Sequence, residues 1–183
     1  MSEYAVIVID MLNDFVTGSL KCERSQNIIP NIKKLIEAAH KNNVTVVYSN
    51  DAHYPQDHEV IEKWGGHAIK GTKGAEVIPE LKPTTKDYIV EKRTYSGFYE
   101  TGLDPLLRSL GVKTVILTGL HTNMCVRHTA ADAFFRGYKI IVAKDGVEAF
   151  TQEDQDSGLK YLKYVYNAKL EITSDIIKEL SKQ

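Results

Sequence analysis

The sequence contains little cysteine: its 183 residues include only Cys22 and Cys125. Two distant cysteines outside any Cys-x-x-Cys pattern exclude a disulfide scaffold and a zinc ribbon. A chain of this length buries roughly 70% of its unfolded surface, so it needs neither disulfide bonds nor a structural metal for stability. We therefore expect a single domain over 1–183 in a reducing, cytoplasmic compartment.

Charge of one sign and long apolar runs are also lacking. The chain has 23 Lys and Arg against 24 Asp and Glu. Without a basic block, nucleic acid and anionic membranes are poor candidates for the main partner. No apolar run approaches the roughly 20 residues that span a bilayer, and the opening segment resembles a strand more than a signal peptide. The expected partner is a small molecule.

The sequence does contain short Val/Ile-rich runs that alternate with helical patterns. The predicted strands are Ala5–Ile9, Val44–Tyr48, Asp87–Val90, Thr114–Leu117, Lys139–Val142 and Lys169–Ile172. The predicted helices are 28–39, 105–110 behind Asp104 as N-cap, Cys125–Phe135, Glu153–Tyr166 behind Thr151 as N-cap, and Ser174–Leu180. This alternation predicts an α/β fold with three layers, α/β/α, around a mostly parallel six-stranded sheet.

Ionisable side chains follow four consecutive predicted strands. They are Asp10 after the first strand, Asp51 and His53 after the second, Lys92 after the third, and Cys125 after the fourth. The carboxyl ends of parallel strands meet at one edge of the sheet, where ligands bind. We therefore expect these groups to form one site.

Cys125 follows a Gly-Leu-His-Thr-Asn-Met turn and begins a predicted helix. The positive end of a helix lowers the pKa of a thiol, and its free N–H groups can hold an oxyanion. This pattern predicts a reactive thiolate. The alternative is an inert buried cysteine, because free cysteine is often buried.

Asp10 and Lys92 complete a plausible catalytic set. The carboxylate can accept the thiol proton and return it to a leaving amine, while the lysine stabilises both anions. We expect Lys92→Met to abolish turnover and to leave folding largely intact. One alternative is an Asp10–Lys92 ion pair that only fixes the strand ends. Another is His128 as the base, one helical turn after Cys125.

Asp51, His53 and His67 supply the carboxylate and imidazole ligands that suit Zn, Fe, Mn or Ni. His58 or Glu59 is the candidate for a fourth ligand. The alternative is that a polar loop contains these histidines by chance. The sequence predicts a possible divalent metal here and no organic cofactor.

The motifs, taken in order, resemble the isochorismatase-like cysteine hydrolases and, within them, the nicotinamidases. They lie at 8–15, 51–53, 64–67, 71–76, 92–98, 119–126 and 129–133. The resemblance covers nearly the whole chain. It implies the isochorismatase-like hydrolase fold, a homo-oligomer, and hydrolysis of a small amide with release of ammonia.

The resemblance also implies roles for the central residues. Asp10, Lys92 and Cys125 would form the triad, with Cys125 attacking the amide carbon to form a thioester. The main-chain N–H groups of His121 and Cys125 would hold the oxyanion, beside a cis peptide bond between Leu120 and His121. Non-proline cis bonds are rare and cluster at functional sites.

For the substrate, the resemblance implies a pocket and a metal. The positions matching Phe15, Trp64 and Tyr95 would wall a ring pocket that Met124 completes. A metal on the histidine and aspartate ligands would hold a pyridine nitrogen. The alternative for the aromatic residues is an ordinary core position.

Three departures from the nicotinamidase pattern leave the substrate open. Asn123 stands where an acid is usual, Met124 where an aromatic residue or histidine is usual, and the loop contains Asp57-His58-Glu59. This loop is similar to broader members, including N-carbamoylsarcosine amidase and related ureido hydrolases. Nicotinamide is the first candidate substrate and an N-carbamoyl amino acid the second. A non-catalytic small-molecule binding or thiol-redox protein is the alternative of another class.

Overall fold

The computed structural model describes residues 2–182, which form one six-stranded sheet with the strand order β3-β2-β1-β4-β5-β6. The strands are β1 Tyr4–Ile9, β2 Thr45–Asp51, β3 Tyr88–Lys92, β4 Thr114–Leu120, β5 Lys139–Glu148 and β6 Lys169–Glu171. Every neighbouring pair in this sheet is parallel. The predicted α/β fold is therefore confirmed, with an entirely parallel sheet in place of the mostly parallel one expected.

Helices cover both faces of the sheet. They are α1 Asn13–Val16, α2 Ile29–Lys41, α3 Leu103–Ser109, α4 Arg127–Phe135, α5 Gln152–Tyr166 and α6 Thr173–Leu180. Short 3-10 segments lie at Glu23–Asn27, Lys73–Ala75 and Pro79–Leu81, and π-helical segments at Glu59–Trp64 and Thr122–Val126. No helix within residues 2–182 is both long and apolar enough to cross a membrane.

Alternating side chains of β1 separate two hydrophobic clusters. Val6 and Val8 pack in the cluster that contains α2 and α6, whereas Ala5, Ile7 and Ile9 pack in the cluster that contains α3 and α4. Successive residues of a strand point to opposite faces, so a central parallel strand is apolar throughout. The sheet is thus buried between two helical layers.

Four strands extend further toward the carboxyl edge than the apolar runs predicted. In β2 and β3, Asn50 pairs with Glu91 and Asp51 pairs with Lys92. Hydrogen bonds to a neighbouring strand hold these polar residues in extended conformation. The hydrophobic periodicity of one segment does not reveal such pairing, so the predicted strand ends come too early. Asp51 and Lys92 therefore lie on strands rather than in the loops that follow them.

Two predicted helix starts are wrong. Helix α3 begins at Leu103, so Asp104 lies inside its first turn. The Thr101 hydroxyl accepts the Leu103 N–H at 3.2 Å, which leaves no capping role for Asp104. The helix that carries Cys125 begins with the π-helical turn at Thr122, about one turn earlier than expected. By contrast, Thr151 caps α5 as predicted, and its side chain accepts the Asp154 N–H at 3.1 Å.

The chain reverses its course across the sheet at β1, which lies between β2 and β4. In sheets of this kind, ligands bind at that point, beyond the carboxyl ends of the strands. Asp10 directly follows β1 with a φ of 53°, a left-handed conformation that costs energy for a residue with a side chain. Strain at this position marks the same edge as a functional site.

Candidate active site

Lys92 is the centre of a buried charge cluster at the carboxyl edge of the sheet. It is only 1% exposed. Its Nζ donates to Asp10 Oδ2 at 2.8 Å and to Asp51 Oδ1 at 2.5 Å. The second oxygen of Asp10 accepts the Asp51 main-chain N–H at 2.7 Å. Adjacent strand ends thus hold one cation between two carboxylates.

The two carboxyl groups have opposite pKa shifts. Burial, together with the charge of Asp51, raises the pKa of Asp10 to about 6. Burial would also raise the pKa of Asp51, but the interactions with Lys92 and His53 together outweigh burial and lower the value to about 2. Burial opposes the charge on Lys92, yet the two carboxylates raise its pKa well above the usual range. Asp10 is therefore the member of this group that can exchange a proton near neutral pH.

Cys125 lies against the same cluster. Its Sγ and carboxylate oxygens of Asp10 and Asp51 lie within 4.8 Å of one another. Burial, reinforced by the two carboxylates and only partly opposed by Lys92, raises the pKa of the thiol well above its usual value. The predicted lowering of this pKa is wrong, because the thiol is buried one turn inside the helix. The geometry presents a neutral thiol beside a base.

The turn before Cys125 has an unusual backbone. The peptide bond between Leu120 and His121 is cis. The carbonyl of His121 then accepts the N–H groups of Met124, at 2.9 Å, and Val126, at 3.2 Å. These bonds begin the π-helical turn that carries the thiol, and they place both expected oxyanion-binding N–H groups, those of His121 and Cys125, on the same turn.

Asp51, His53 and His67 form a group with the composition of a metal site. One ligand atom from each lies within 4.8 Å of the others. Both ring nitrogens of buried His53 lack a hydrogen-bond partner among the described residues. The Nδ1 of His67 lies 2.8 Å from the Gly65 carbonyl, which leaves Nε2 available. Oδ1 of Asp51 accepts a hydrogen bond from Lys92, and Oδ2 remains available to an ion. These donors fit a divalent cation such as Zn, Fe or Mn.

Neither candidate for a fourth ligand belongs to this group of three. His58 is exposed, and its ring lies 3.3 Å from Glu62. Glu59 faces the same region, but its Oε1 accepts the Thr94 hydroxyl at 2.5 Å. The carboxylate nearest to His53 besides Asp51 belongs to Asp57, at 3.4 Å from Nδ1.

An aromatic cavity opens above Cys125. Its lining residues are Phe15, Leu20, Asp51, Glu59, Trp64, His67, Tyr95, His121, Met124, Cys125 and Phe150. All of the predicted pocket residues are among them. Trp64 Nε1 donates to the Tyr95 hydroxyl at 3.2 Å, and Phe150 stacks on His121 with a centroid distance of 4.2 Å. Burial lowers the pKa of His121 to about 4, so this ring is neutral at physiological pH.

The cavity is narrow. Its volume is about 20 Å³, which is room for about one water molecule. Even a small amide therefore requires the surrounding side chains to move. Glu59 and Trp64 both belong to the π-helical segment at this wall.

The family model described as the isochorismatase domain matches residues 4–174. The chain belongs to the isochorismatase family. An N-carbamoylsarcosine amidase structure from Thermoplasma acidophilum is 42% identical with a TM-score of 0.88, and the match covers 94% of this chain and 97% of that one. Nicotinamidase 3 of Arabidopsis thaliana is 33% identical over 165 residues, which are 87% of this chain and 80% of the relative.

A third relative of this isochorismatase-family protein carries a metal. The pyrazinamidase of Pyrococcus horikoshii, solved in complex with zinc, is 31% identical with a TM-score of 0.86, covering 93% of this chain and 99% of that one. Family membership and the amidase relatives show that the protein is a hydrolase of amide carbon–nitrogen bonds.

Several residues around the site of this isochorismatase-family protein were not predicted from the sequence. Phe150 follows β5 at the same edge, so the strand-end rule that selected the others could have found it. Asp14 Oδ2 accepts the Ala68 N–H at 2.8 Å and holds the loop next to His67. The side-chain oxygen of Gln155 accepts a hydrogen bond from the Thr122 hydroxyl at 2.5 Å and supports the turn that contains Cys125. No local sequence signal marks these last two, because their partners are distant in the chain.

Two residues with reactive side chains lie outside the cavity lining. His128 is exposed and stacks on Tyr95 at 5.3 Å. Cys22 is buried, and its Sγ donates to the Ala149 carbonyl at 3.4 Å. In this isochorismatase-family protein, the carboxylate of Asp10 lies within 4.8 Å of the Cys125 Sγ.

Proposed function

We propose that this protein is a cysteine amidohydrolase that releases ammonia from a small amide, with nicotinamide as the first candidate substrate. The observation that carries the proposal is the buried contact among Asp10, Lys92 and Cys125 beneath an aromatic cavity. A protein that only binds a small molecule has no need for a base, a cation and a thiol in contact. An aromatic cavity suits a planar ring amide.

The proposed reaction has two halves. Asp10 accepts the Cys125 proton as the sulfur attacks the amide carbon, and the proton then passes to the leaving nitrogen, which departs as ammonia. Water attacks the resulting thioester while Asp10 takes a proton from it. Breakdown of this second intermediate gives the carboxylic acid, and the proton held by Asp10 returns to the sulfur and restores the thiol.

Two other groups contribute charge stabilisation to the proposed reaction. The main-chain N–H groups of His121 and Cys125 hold the negative oxygen of each tetrahedral intermediate. Lys92 remains protonated throughout, since two carboxylates raise its pKa well above the usual range. Its charge offsets the negative charge that moves between Cys125 and Asp10.

The proposed metal ligands are Asp51, His53 and His67. These residues would hold a divalent ion at the wall of the cavity, and its positive charge would suit a ring nitrogen or a carbonyl oxygen of the substrate. His53 is positioned for this role between the carboxylates of Asp51 and Asp57, at 3.5 Å and 3.4 Å from its two ring nitrogens. The second carboxylate orients the ring as an outer-shell partner does.

A second candidate substrate is an N-carbamoyl amino acid such as N-carbamoylsarcosine. The observation that favours it is the 42% identity with the Thermoplasma acidophilum amidase structure. Both candidates use the same triad and both release ammonia. They differ in charge, because the carbamoyl compound carries a carboxylate and nicotinamide does not.

The test is ammonia release from nicotinamide and from N-carbamoylsarcosine, measured in parallel with the wild type and Cys125→Ala. We expect release from one of them that depends on Cys125. Cys22→Ala is the matched control, because that thiol lies outside the cavity. Release that survives in Cys125→Ala contradicts the proposed nucleophile. Reversible oxidation of Cys125 without ammonia from either compound supports the thiol-redox alternative.

We further propose a single domain that acts in the cytoplasm as a homo-oligomer. Both cysteines are free and buried, which suits a reducing compartment. Phe134, Phe135 and Tyr164 expose large aromatic surfaces of the kind found at interfaces between subunits. Sedimentation analysis that finds only monomers contradicts the oligomer.

A further inference from the structure

Glu59 stands apart from the other charged groups of the aromatic cavity. Among the described residues that line it, the carboxylates belong to Asp51 and Glu59, and no lysine or arginine lines it. The charge of Asp51 is neutralised by Lys92. Glu59 forms no ion pair within residues 2–182; instead, its Oε1 accepts the Thr94 hydroxyl at 2.5 Å. Among the described lining residues, Glu59 is therefore the carboxylate that is not paired with a cation of the protein.

The structure also separates Glu59 from the metal ligands. The ligand atoms of Asp51, His53 and His67 lie within 4.8 Å of one another, and the carboxylate of Glu59 is outside that group. The Thr94 hydroxyl fixes one oxygen of Glu59 and leaves the second without a protein donor among the described residues. A carboxylate that is oriented but not used by the protein is available to a ligand.

The protein cations around Glu59 are already paired with other acids. Glu59 also lines a neighbouring open cavity of about 410 Å³, which contains the acids Asp57, Glu91 and Glu100. Arg93 pairs with Asp57, and Lys70 pairs with Glu91. Lys92 pairs with Asp10 and Asp51, so none of these three cations compensates the charge of Glu59. A substrate carboxylate would meet repulsion on this side, whereas an N–H group or a cation would be attracted.

We infer that Glu59 is a specificity-determining residue, which accepts a hydrogen bond from an N–H or cationic group at the end of the substrate remote from the scissile amide. The same carboxylate excludes substrates that carry a carboxylate at that end. This inference rests on the proposed amide hydrolysis at Cys125 and adds the charge class of the substrate. It favours neutral or cationic amides over N-carbamoyl amino acids.

The test uses three amides of similar length that differ in their terminal group: β-alaninamide, butyramide and succinamate. Their terminal groups are an ammonium, a methyl and a carboxylate. The kcat/KM for ammonia release is measured for each with the wild type and Glu59→Gln, and is divided by the value for butyramide so that a general loss of activity cancels. We expect the wild type to prefer β-alaninamide over succinamate. Glu59→Gln should lower that preference about 10- to 100-fold, because a charge-assisted hydrogen bond and a repulsion are both removed.

Glu62→Gln is the matched control. Glu62 lies on the same π-helical segment but is exposed and contacts His58 rather than the cavity. Its substitution should leave the preference unchanged. Metal content is measured in every variant, so that a change in preference at equal metal content reports on Glu59 itself. An unchanged preference in Glu59→Gln overturns the inference, as does loss of bound metal without a change in preference.

Binding of the same three amides to Cys125→Ala separates this inference from the proposed function. If the wild type releases no ammonia but Cys125→Ala binds β-alaninamide over succinamate, and Glu59→Gln abolishes this preference, then the hydrolase proposal fails and the role of Glu59 stands. If ammonia is released with no Glu59-dependent preference in turnover or binding, the proposed function stands and the role of Glu59 is overturned.

Discussion

Asp10 and Asp51 share the same lysine, yet they are suited to different tasks. Asp51 faces Lys92 at 2.5 Å and has its pKa lowered to about 2 against the effect of burial. Asp10 is fully buried, and burial with the charge of Asp51 raises its pKa to about 6. Pairs of titratable groups whose pKa values are pushed apart identify the proton carrier and the fixed charge. The proposed reaction therefore uses Asp10 as the proton carrier.

This difference predicts the acid limb of the pH profile. We expect kcat/KM to fall as the pH drops below about 6, because a proton on Asp10 removes the acceptor for the thiol proton. The pKa is raised, so activity is lost at a higher pH than an ordinary aspartate would give. Ammonia release across the acidic and neutral range checks this, with circular dichroism at each pH to show that the fold persists. An acid limb near 3.8, the ordinary value for aspartate, would contradict it.

We expect Lys92 to support the fold as well as the proposed reaction. Its removal leaves Asp10 and Asp51 buried without a cation, and breaking a buried ion pair in this way costs about 3–5 kcal/mol. The structure therefore changes the expectation from the sequence that Lys92→Met leaves folding largely intact. We now expect both loss of turnover and a lower free energy of unfolding, measured by urea denaturation.

Lys70→Met is the control for this prediction. Lys70 pairs with Glu91 at the surface, and both side chains are about half exposed. Exposed pairs contribute roughly 0–1 kcal/mol. Equal stability losses in the two variants would show that the buried cluster is not a structural element.

At the scale of elements, the approach of β4 to β1 sets the position of the nucleophile turn. Gly119 has a φ of 103°, and a Cβ there would lie 2.0 Å from the carbonyl oxygen of Ile9. The β4–β5 register shifts between Leu117 and Gly119. Glycine is required here by conformation and by the close approach of two backbones. The turn that follows carries both His121 and Cys125.

We expect Gly119→Ala to destabilise the protein by about 3 kcal/mol or more, because neither strand backbone can move aside cheaply. Activity should fall as well, since the nucleophile turn begins at the next residues. Thermal and urea unfolding measure the first effect, and ammonia release the second.

Gly111→Ala is the matched control, because Gly111 also has a positive φ, of 71°, but no atom of residues 2–182 lies within 4 Å of its Cβ position. Its cost should be about 1–2 kcal/mol, from the left-handed conformation alone. Equal losses in the two variants would show that the contact with Ile9 is unimportant.

At the scale of the whole molecule, the three candidate metal ligands come from distant parts of the chain. Asp51 and His53 come from the end of β2, whereas His67 belongs to the loop that Asp14 holds through the Ala68 N–H at 2.8 Å. An ion bound by all three residues would link these segments in the folded state only. Such an ion stabilises the fold by about 2.7 kcal/mol at 100 times its dissociation constant.

We therefore expect added zinc to raise the melting temperature of chelator-treated protein. His67→Ala should abolish the rise, because it removes one of the three buried ligands. His58→Ala should retain it, since that ring is exposed and pairs with Glu62. A rise of the same size in His67→Ala, or no rise in the wild type, would contradict the metal site.

Much of this molecule could be predicted from its sequence. The strand cores, the helices and the Thr151 cap follow from periodicity and capping patterns. The start of α3 could not be predicted, because the Thr101 hydroxyl takes the role expected of Asp104. Phe150 could have been found by its place after β5, whereas Asp14 and Gln155 act on partners far along the chain.

The sequence by itself determined the fold class, the family and the residues that end neighbouring strands, because each follows from local periodicity or from motifs in a fixed order. Only the tertiary structure decided how those residues are charged. Burial raises the pKa of Cys125, and the pKa values of Asp10 and Asp51 differ although both contact Lys92. Glu59 has no ion pair within residues 2–182. Burial and the distances between groups remote in the chain control these properties, and a linear sequence does not contain them.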